Sequence, residues 1–250
     1  RIVGTKISRK YLPYIQIKHL IDKSGELYFN TIHCTDGENS IGNYNKLLDP
    51  WDKENGAELV VENEYVYIKE FVDNTVYILN KLIGFTKNGN DGQKQLNNSY
   101  IQKIDKTSID DTKLKVLQNV FVNSKLLMIY GAAGTGKTTL MNHISKLMEG
   151  RSKIFLTKTH TALDNLKRRV ESSGFYSEFI GIDSFLRSKR TLDQDVIFVD
   201  ECSTIDNRTM FQLLERINET SLIVLAGDIF QIESIDFGNW FVPQNYPYEA

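Results

Sequence analysis

Residues 131–139 read Gly-Ala-Ala-Gly-Thr-Gly-Lys-Thr-Thr, which fills every fixed position of the GxxxxGK[ST] spacing. A triphosphate needs many backbone N–H groups converging on it, and Gly131, Gly134 and Gly136 let the main chain come that close. Lys137 then supplies a point charge to the β- and γ-phosphates, and the Thr138 hydroxyl is a ligand for Mg²⁺. Thr135 and Thr139 complete the cofactor-facing set, and the cofactors implied are ATP and Mg²⁺. Downstream, the apolar run Val196–Val199 ends in Asp200-Glu201. Asp200 is placed to hold Mg²⁺ opposite Thr138, and Glu201 to accept a proton from an attacking water. A third apolar run, Leu222–Ala226, breaks at Gly227 and presents Asp228 and Gln231. A neutral amide such as Gln231 can sense a γ-phosphate without titrating.

Such loops need a frame. Short apolar runs at Lys125–Tyr130, Lys153–Thr157, Asp195–Val199 and Leu222–Ala226 alternate with helical stretches at about 137–149, 161–173 and 205–218. That alternation predicts a parallel sheet covered on both faces, with ligands beyond the carboxyl ends of its strands. Ser108 with Asp111 resembles a capping box and starts a helix through about Val120. Before it, residues 14–34 read as a β-hairpin. Ile68, Phe71, Val72, Val76, Leu79, Leu82 and Ile83 form an amphipathic helix that Gly84 caps. Residues 86–99 are polar and read as a flexible linker. The domain boundary is therefore expected there, with a small α+β unit over 1–99 and an α/β ATPase core over 100–250.

Composition is that of a globular domain: 41% hydrophobic, 25% charged, formal net charge −2 over 250 residues. The average hides a gradient. Residues 151–190 hold nine Lys/Arg against four Asp/Glu, and 191–250 hold two against eleven. The basic block follows the P-loop helix, where it could track a phosphate backbone. Cys34 and Cys202, far apart in sequence, suit a reduced, cytoplasmic setting better than a disulfide scaffold. Cys202 is expected to fill a small buried space, and Cys34, His19 and His33 lack the further ligands a metal site needs. No apolar run approaches membrane-spanning length and no signal-like start is present, so no membrane partner is expected.

Together, Gly131–Thr139, Asp200-Glu201-Cys202-Ser203 and Gly227-Asp228-Ile229-Phe230-Gln231 resemble motifs I, II and III of superfamily 1 helicases. Thr157–Leu166 resembles their motif Ia, and Ile182–Leu186 is similar to a segment before motif II in RecD-like and Upf1-like members. The resemblance covers about 105–241 and implies a RecA-like P-loop NTPase motor domain that binds ATP and grips a single strand. On it, Thr159 and His160 are the candidate strand contacts, with helix capping the competing role for His160. Gln118, thirteen residues before Gly131, resembles the glutamine that reads adenine, or is a surface residue. Trp240, with Phe237 and Phe241 beside it, is a candidate for base stacking, against ordinary core packing. Lys158 and Lys167-Arg168-Arg169 read first as solvated charges.

The arginine-bearing motifs IV to VI are not among these residues, and the chain starts at Arg1, so a piece of a longer protein is expected. Without such an arginine, phosphoryl transfer can slow by about 10³–10⁵. The resemblance implies an ATP-dependent helicase or translocase fragment on single-stranded nucleic acid, DNA before RNA, with other helicase or nuclease subunits as further partners. The competing reading is a nucleotide-gated binding module that switches a partner without translocating. A small-molecule kinase has no use for motif III or the basic face.

Overall fold

The computed structural model describes residues 9–87, 89–90, 92–104, 109–170, 177–228 and 240. The N-terminal part is α+β. Helix α1 (Leu12–Ser24) lies where the first hairpin strand was expected. Pro13 stands in its first turn, and Gly25 at φ +73° ends it by donating its N–H to the Ile21 carbonyl. Ile17 and Ile21, one helical turn apart, carry the buried face. Then come β1 (Phe29–Asn30), α2 (Gly37–Asn45), α3 (Pro50–Glu54), β2 (Leu59–Glu62) and β3 (Tyr65–Ile68). Asn63 and Glu64, both at positive φ, make the tight turn between β2 and β3, and β1 pairs on the other side of β3.

Helix α4 (Lys69–Phe85) is the expected helix with a different face and end. It buries Asn74, Ile78, Leu82 and Phe85, while Val76, Leu79 and Ile83 stay exposed. The helix runs through Gly84, and Thr86 closes it by donating to the Leu82 and Ile83 carbonyls. The 86–99 stretch is also not a linker throughout, since α5 (Gln93–Lys103) starts within it. Besides Ile101, its buried side chains are amides: Gln93 donates to Asn97, which donates to the Gln118 and Val120 carbonyls. Buried amides are tolerated because these bonds are made. In α6 (Asp111–Asn119) the cap is Asp110, whose carboxylate accepts from the Lys113 N–H; Ser108 lies outside the described residues.

The four expected runs form parallel strands with one more beside them. β4 (Leu126–Tyr130), α7 (Lys137–Leu147), β5 (Lys153–Thr157), α8 (His160–Arg169), β6 (Ser177–Gly181), α9 (Ile182–Arg187), β7 (Val196–Val199), α10 (Asn207–Glu215) and β8 (Leu222–Gly227) alternate along the chain. Strand order is β4-β8-β7-β5-β6, every pair parallel. Successive residues point to opposite faces, so Phe155, Phe198 and Val224 pack with Met141 and Ile144 of α7 and Leu166 of α8. On the other face Leu156, Ile197 and Leu225 pack with Met210 and Leu213 of α10 and with Ile78, Leu82 and Phe85 of α4. A parallel sheet needs both faces covered, and the second cover comes partly from the N-terminal segment.

Candidate functional site

All five strands being parallel, their carboxyl ends share one edge, and the loops carrying the chemistry leave from it. The Gly131 N–H donates to the Gly227 carbonyl at 3.3 Å, which ties the start of the P-loop to the end of β8. The Asp200 N–H donates to the Leu156 carbonyl at 2.9 Å, tying the β7 end to β5. Gly134 and Gly136 have φ of +82° and +86°, a region that side-chain-bearing residues avoid. Thr135 folds over Gly131, donating its hydroxyl to the Ala132 carbonyl; a Cβ on Gly131 would meet the Thr135 hydroxyl oxygen at 2.6 Å. Thr138 and Thr139 fall in the first turn of α7, where free N–H groups and the helix dipole favour an anion.

Lys137 Nζ donates to the Gly131 carbonyl at 2.5 Å and to the Ala132 carbonyl at 3.0 Å, curling back over its own loop. Its charge also pulls on the Asp200 and Glu201 carboxyls in the acidic direction, as the smallest influence on each. Burial outweighs it: the Asp200 carboxyl is raised, despite the Glu201 N–H it accepts and the nearby Lys137. Glu201 is raised by burial and then by the Asp200 charge, with the Thr159 hydroxyl and Lys137 opposing. Glu201 also holds φ +56°, uncommon for a residue with a side chain, and its Oε2 accepts the Thr159 hydroxyl at 3.3 Å.

A raised carboxyl binds its proton more tightly in the folded chain. Stability therefore falls as pH climbs from the ordinary carboxylate range through the raised value, and the loss persists above it. Asp200→Asn removes the ionisation, so without nucleotide it should melt higher than the parent chain at pH 7–8. The gap should close on acidification toward pH 4. Melting curves across pH check this, and a variant that melts lower at neutral pH contradicts it.

Thr159 caps α8, accepting from the Ala162 N–H at 3.2 Å, and His160 is exposed beside it at the first helical position. Lys158 is a partly exposed charge that pairs with Asp183 at 3.2 Å and Asp206 at 3.7 Å. Lys167, Arg168 and Arg169 are exposed in the last turn of α8, so they sit at the opposite edge of the sheet from these loops. Asp228 is buried directly after β8.

Two expected residues are elsewhere. Trp240 is 6% exposed in the core against α10, and its ring N–H donates to the Ile205 carbonyl at 2.8 Å, so no face is free for a base. Gln118 sits near the end of α6, and the cavity beside the P-loop is lined instead by Asp110, Thr112, Lys113 and Val116 from the start of that helix. No motif in the sequence singled out Asp110 or Lys113. The signal was the Asp-capped helix start just before the P-loop strand. Gln231, Phe237 and Phe241 lie outside the described residues. Cys202 is buried and donates its thiol to the Val199 carbonyl, the space-filling role expected of it.

Chemically, a glycine loop, a helix N-terminus, a lysine, a threonine hydroxyl and two carboxylates on one edge suit a phosphate chain with a hard cation. Among the described residues no cluster of three or more His, Cys, Asp or Glu could hold a metal by itself.

Residues 109–243, more than half of the chain, match the AAA domain family, and the chain belongs to it. With its five-stranded parallel sheet and its glycine loop between β4 and α7, its core is an α/β P-loop NTPase fold. The RecBCD enzyme subunit RecD of Buchnera aphidicola subsp. Acyrthosiphon pisum is 24% identical over 95% of this chain and 45% of that protein. The chain thus spans a little under half the length of this relative. Among solved structures, PRRSV helicase matches at 15% identity and TM-score 0.35 over 47% of this chain and 28% of that one. Arterivirus nonstructural protein 10, a helicase solved with DNA, matches at 16% and 0.33 over 44% and 30%. No helix among the described residues is long and apolar enough to cross a membrane.

Proposed function

We propose that this chain is the nucleotide-binding motor part of an ATP-dependent helicase or translocase acting on single-stranded nucleic acid. The observation that supports the reading is that the P-loop, the Asp200-Glu201 pair and the start of α8 all leave the same edge of the parallel sheet, with the Gly131 N–H bonded to Gly227, the Asp200 N–H to Leu156 and the Thr159 hydroxyl to Glu201. In this reading the P-loop amides and Lys137 hold the β- and γ-phosphates of ATP, and Thr138 and Asp200 hold Mg²⁺. Bound Mg²⁺ offsets phosphate charge. Glu201 takes the proton of the attacking water, and its raised pKa brings it nearer to working pH. Gln231 and Asp228 report the γ-phosphate.

The start of α8, with Thr159 and His160, grips the strand through its phosphates. DNA is the proposed substrate over RNA, and other helicase or nuclease subunits are the proposed partners, in the cytoplasm. Residues 1–99 act as an accessory unit seated on the motor through α4. The chain alone hydrolyses ATP slowly, because the charge-stabilising arginine of such motors is not identified in it.

Equilibrium binding of single-stranded DNA and RNA oligonucleotides, with and without a non-hydrolysable ATP analogue, tests the reading. A motor part should bind strands modestly, with affinity falling as salt rises and changing with the analogue. Nucleotide binding with no strand binding under any condition would instead favour the switch module. Fast, strand-stimulated hydrolysis by this chain alone would contradict the slow-hydrolysis part.

A further inference from the structure

A cavity of about 190 Å³, the space of about six water molecules, lies in the seam between α1, α4 and the start of α10. The rings of Tyr14 and Phe71 give it apolar walls. Two of its charged residues are already matched. Lys18 pairs with Asp22 at 3.3 Å. The Asp206 carboxylate accepts the Thr209 N–H and hydroxyl, each at 2.7 Å, and faces Lys158.

Four more polar residues of the lining are short of partners. Asn207 is 3% exposed; its amide nitrogen donates to the Thr75 hydroxyl at 2.7 Å, but its Oδ1 has no partner among the described residues. Asn74 is 8% exposed, and its side-chain amide makes no hydrogen bond among the described residues. The Glu70 carboxylate accepts none there either, and its one ion pair is with Arg208 Nε at 3.4 Å. Burial raises the Glu70 pKa against the pull of Arg208 and Lys18. Arg208 gives only Nε to that pair, so its two terminal nitrogens have no acceptor among the described residues.

Buried polar groups without partners are costly, and several around one cavity point to a molecule that fills it. An unbonded carboxylate beside a bare amide oxygen is the complement of an ammonium. An open guanidinium fork beside an amide N–H is the complement of a carboxylate. We infer that this seam binds a free α-amino acid with a small apolar side chain. Its ammonium lies on Glu70 and Asn207 Oδ1, its carboxylate on Arg208 and Asn74, and its side chain against Phe71 and Tyr14. Such an occupant clamps the N-terminal segment to the helix that follows the Asp200-Glu201 pair. The inference does not depend on the nucleotide reading.

Calorimetric titration of the whole chain with L-valine, isobutylamine and isovalerate tests it. Isobutylamine is valine without its carboxylate and isovalerate is valine without its ammonium, so the first comparison needs no substitution. L-Valine should bind in the millimolar range or tighter, and about tenfold more tightly than either fragment, because each fragment loses one charge-assisted contact. It should also raise the melting temperature. Glu70→Gln should weaken L-valine about tenfold and leave isovalerate as it was. Arg208→Met should weaken L-valine and isovalerate and spare isobutylamine. Melting curves of both variants verify folding.

If L-valine binds the parent chain no tighter than the fragments, or not at all up to about 10 mM, the inference is overturned and the seam holds only water. Valine binding that neither substitution weakens overturns it as well, since the amino acid then sits elsewhere. So does a folded Glu70→Gln variant that loses isovalerate too, because Glu70 would then shape the seam and not meet the ammonium.

Discussion

Lys137→Ala should lower the affinity of this chain for ADP or a non-hydrolysable ATP analogue by about a hundredfold or more. On the proposed reading the loss follows from removing the cation that would contact two phosphate groups, each charge-assisted bond being worth about 1.5–3 kcal/mol. The fold should suffer little, since the hydrogen bonds of the ammonium go to the Gly131 and Ala132 carbonyls of its own loop. Titration calorimetry beside a melting curve separates the two effects. A variant that keeps its affinity within threefold would show that Lys137 does not meet the phosphates, and the site would need a different occupant.

Phe155→Ala should unfold the chain far more readily. Phe155 is fully buried on β5, stacked between Phe179 at 4.6 Å and Phe198 at 4.5 Å. These three rings join neighbouring strands β6, β5 and β7 across one face of the sheet. Emptying the middle of such a stack costs about 3–5 kcal/mol from the cavity alone, and lost ring contacts add about 0.5–1.5 kcal/mol each. Against a total of about 5–15 kcal/mol for a natural domain, that is a large share. Urea denaturation measures it, and Phe155→Leu should recover roughly half. A loss below about 1 kcal/mol would mean that the rings are not packed as described.

The motor core was readable because its signals are local. An apolar run, a glycine loop and a helix start lie within about two dozen residues, and Asp200 and Glu201 directly end a strand. The N-terminal part was read less well, for identifiable reasons. Ile15 and Ile17 alternate like a strand, while the helical spacing of Ile17 and Ile21 and the Pro13 and Gly25 boundary signals were outweighed. In α5 the buried residues Gln93 and Asn97 are amides, which hydrophobic periodicity does not register. In α4 the sequence shows apolar residues on two faces, and only packing against α10 decides which one is covered.

Which end of α6 lines the cavity beside the P-loop was likewise a tertiary matter. Distance along the chain from Gly131 does not say which end of α6 faces the loop. For Trp240, composition leaves base stacking and core packing open, and the bond to the Ile205 carbonyl decides for the core. Edge strand β6 is short, mixed in polarity and only partly buried, so nothing in its five residues announces it.

Helix α4 has a practical meaning for anyone wishing to study the engine by itself. Trimming the chain near residue 100 would strip Ile78, Leu82 and Phe85 from one face of the sheet and leave Met210 and Leu213 as a greasy, self-adhesive scar. The shortest piece that carries its own lid starts at Lys69, upstream of the point where the text of the sequence invites the scissors.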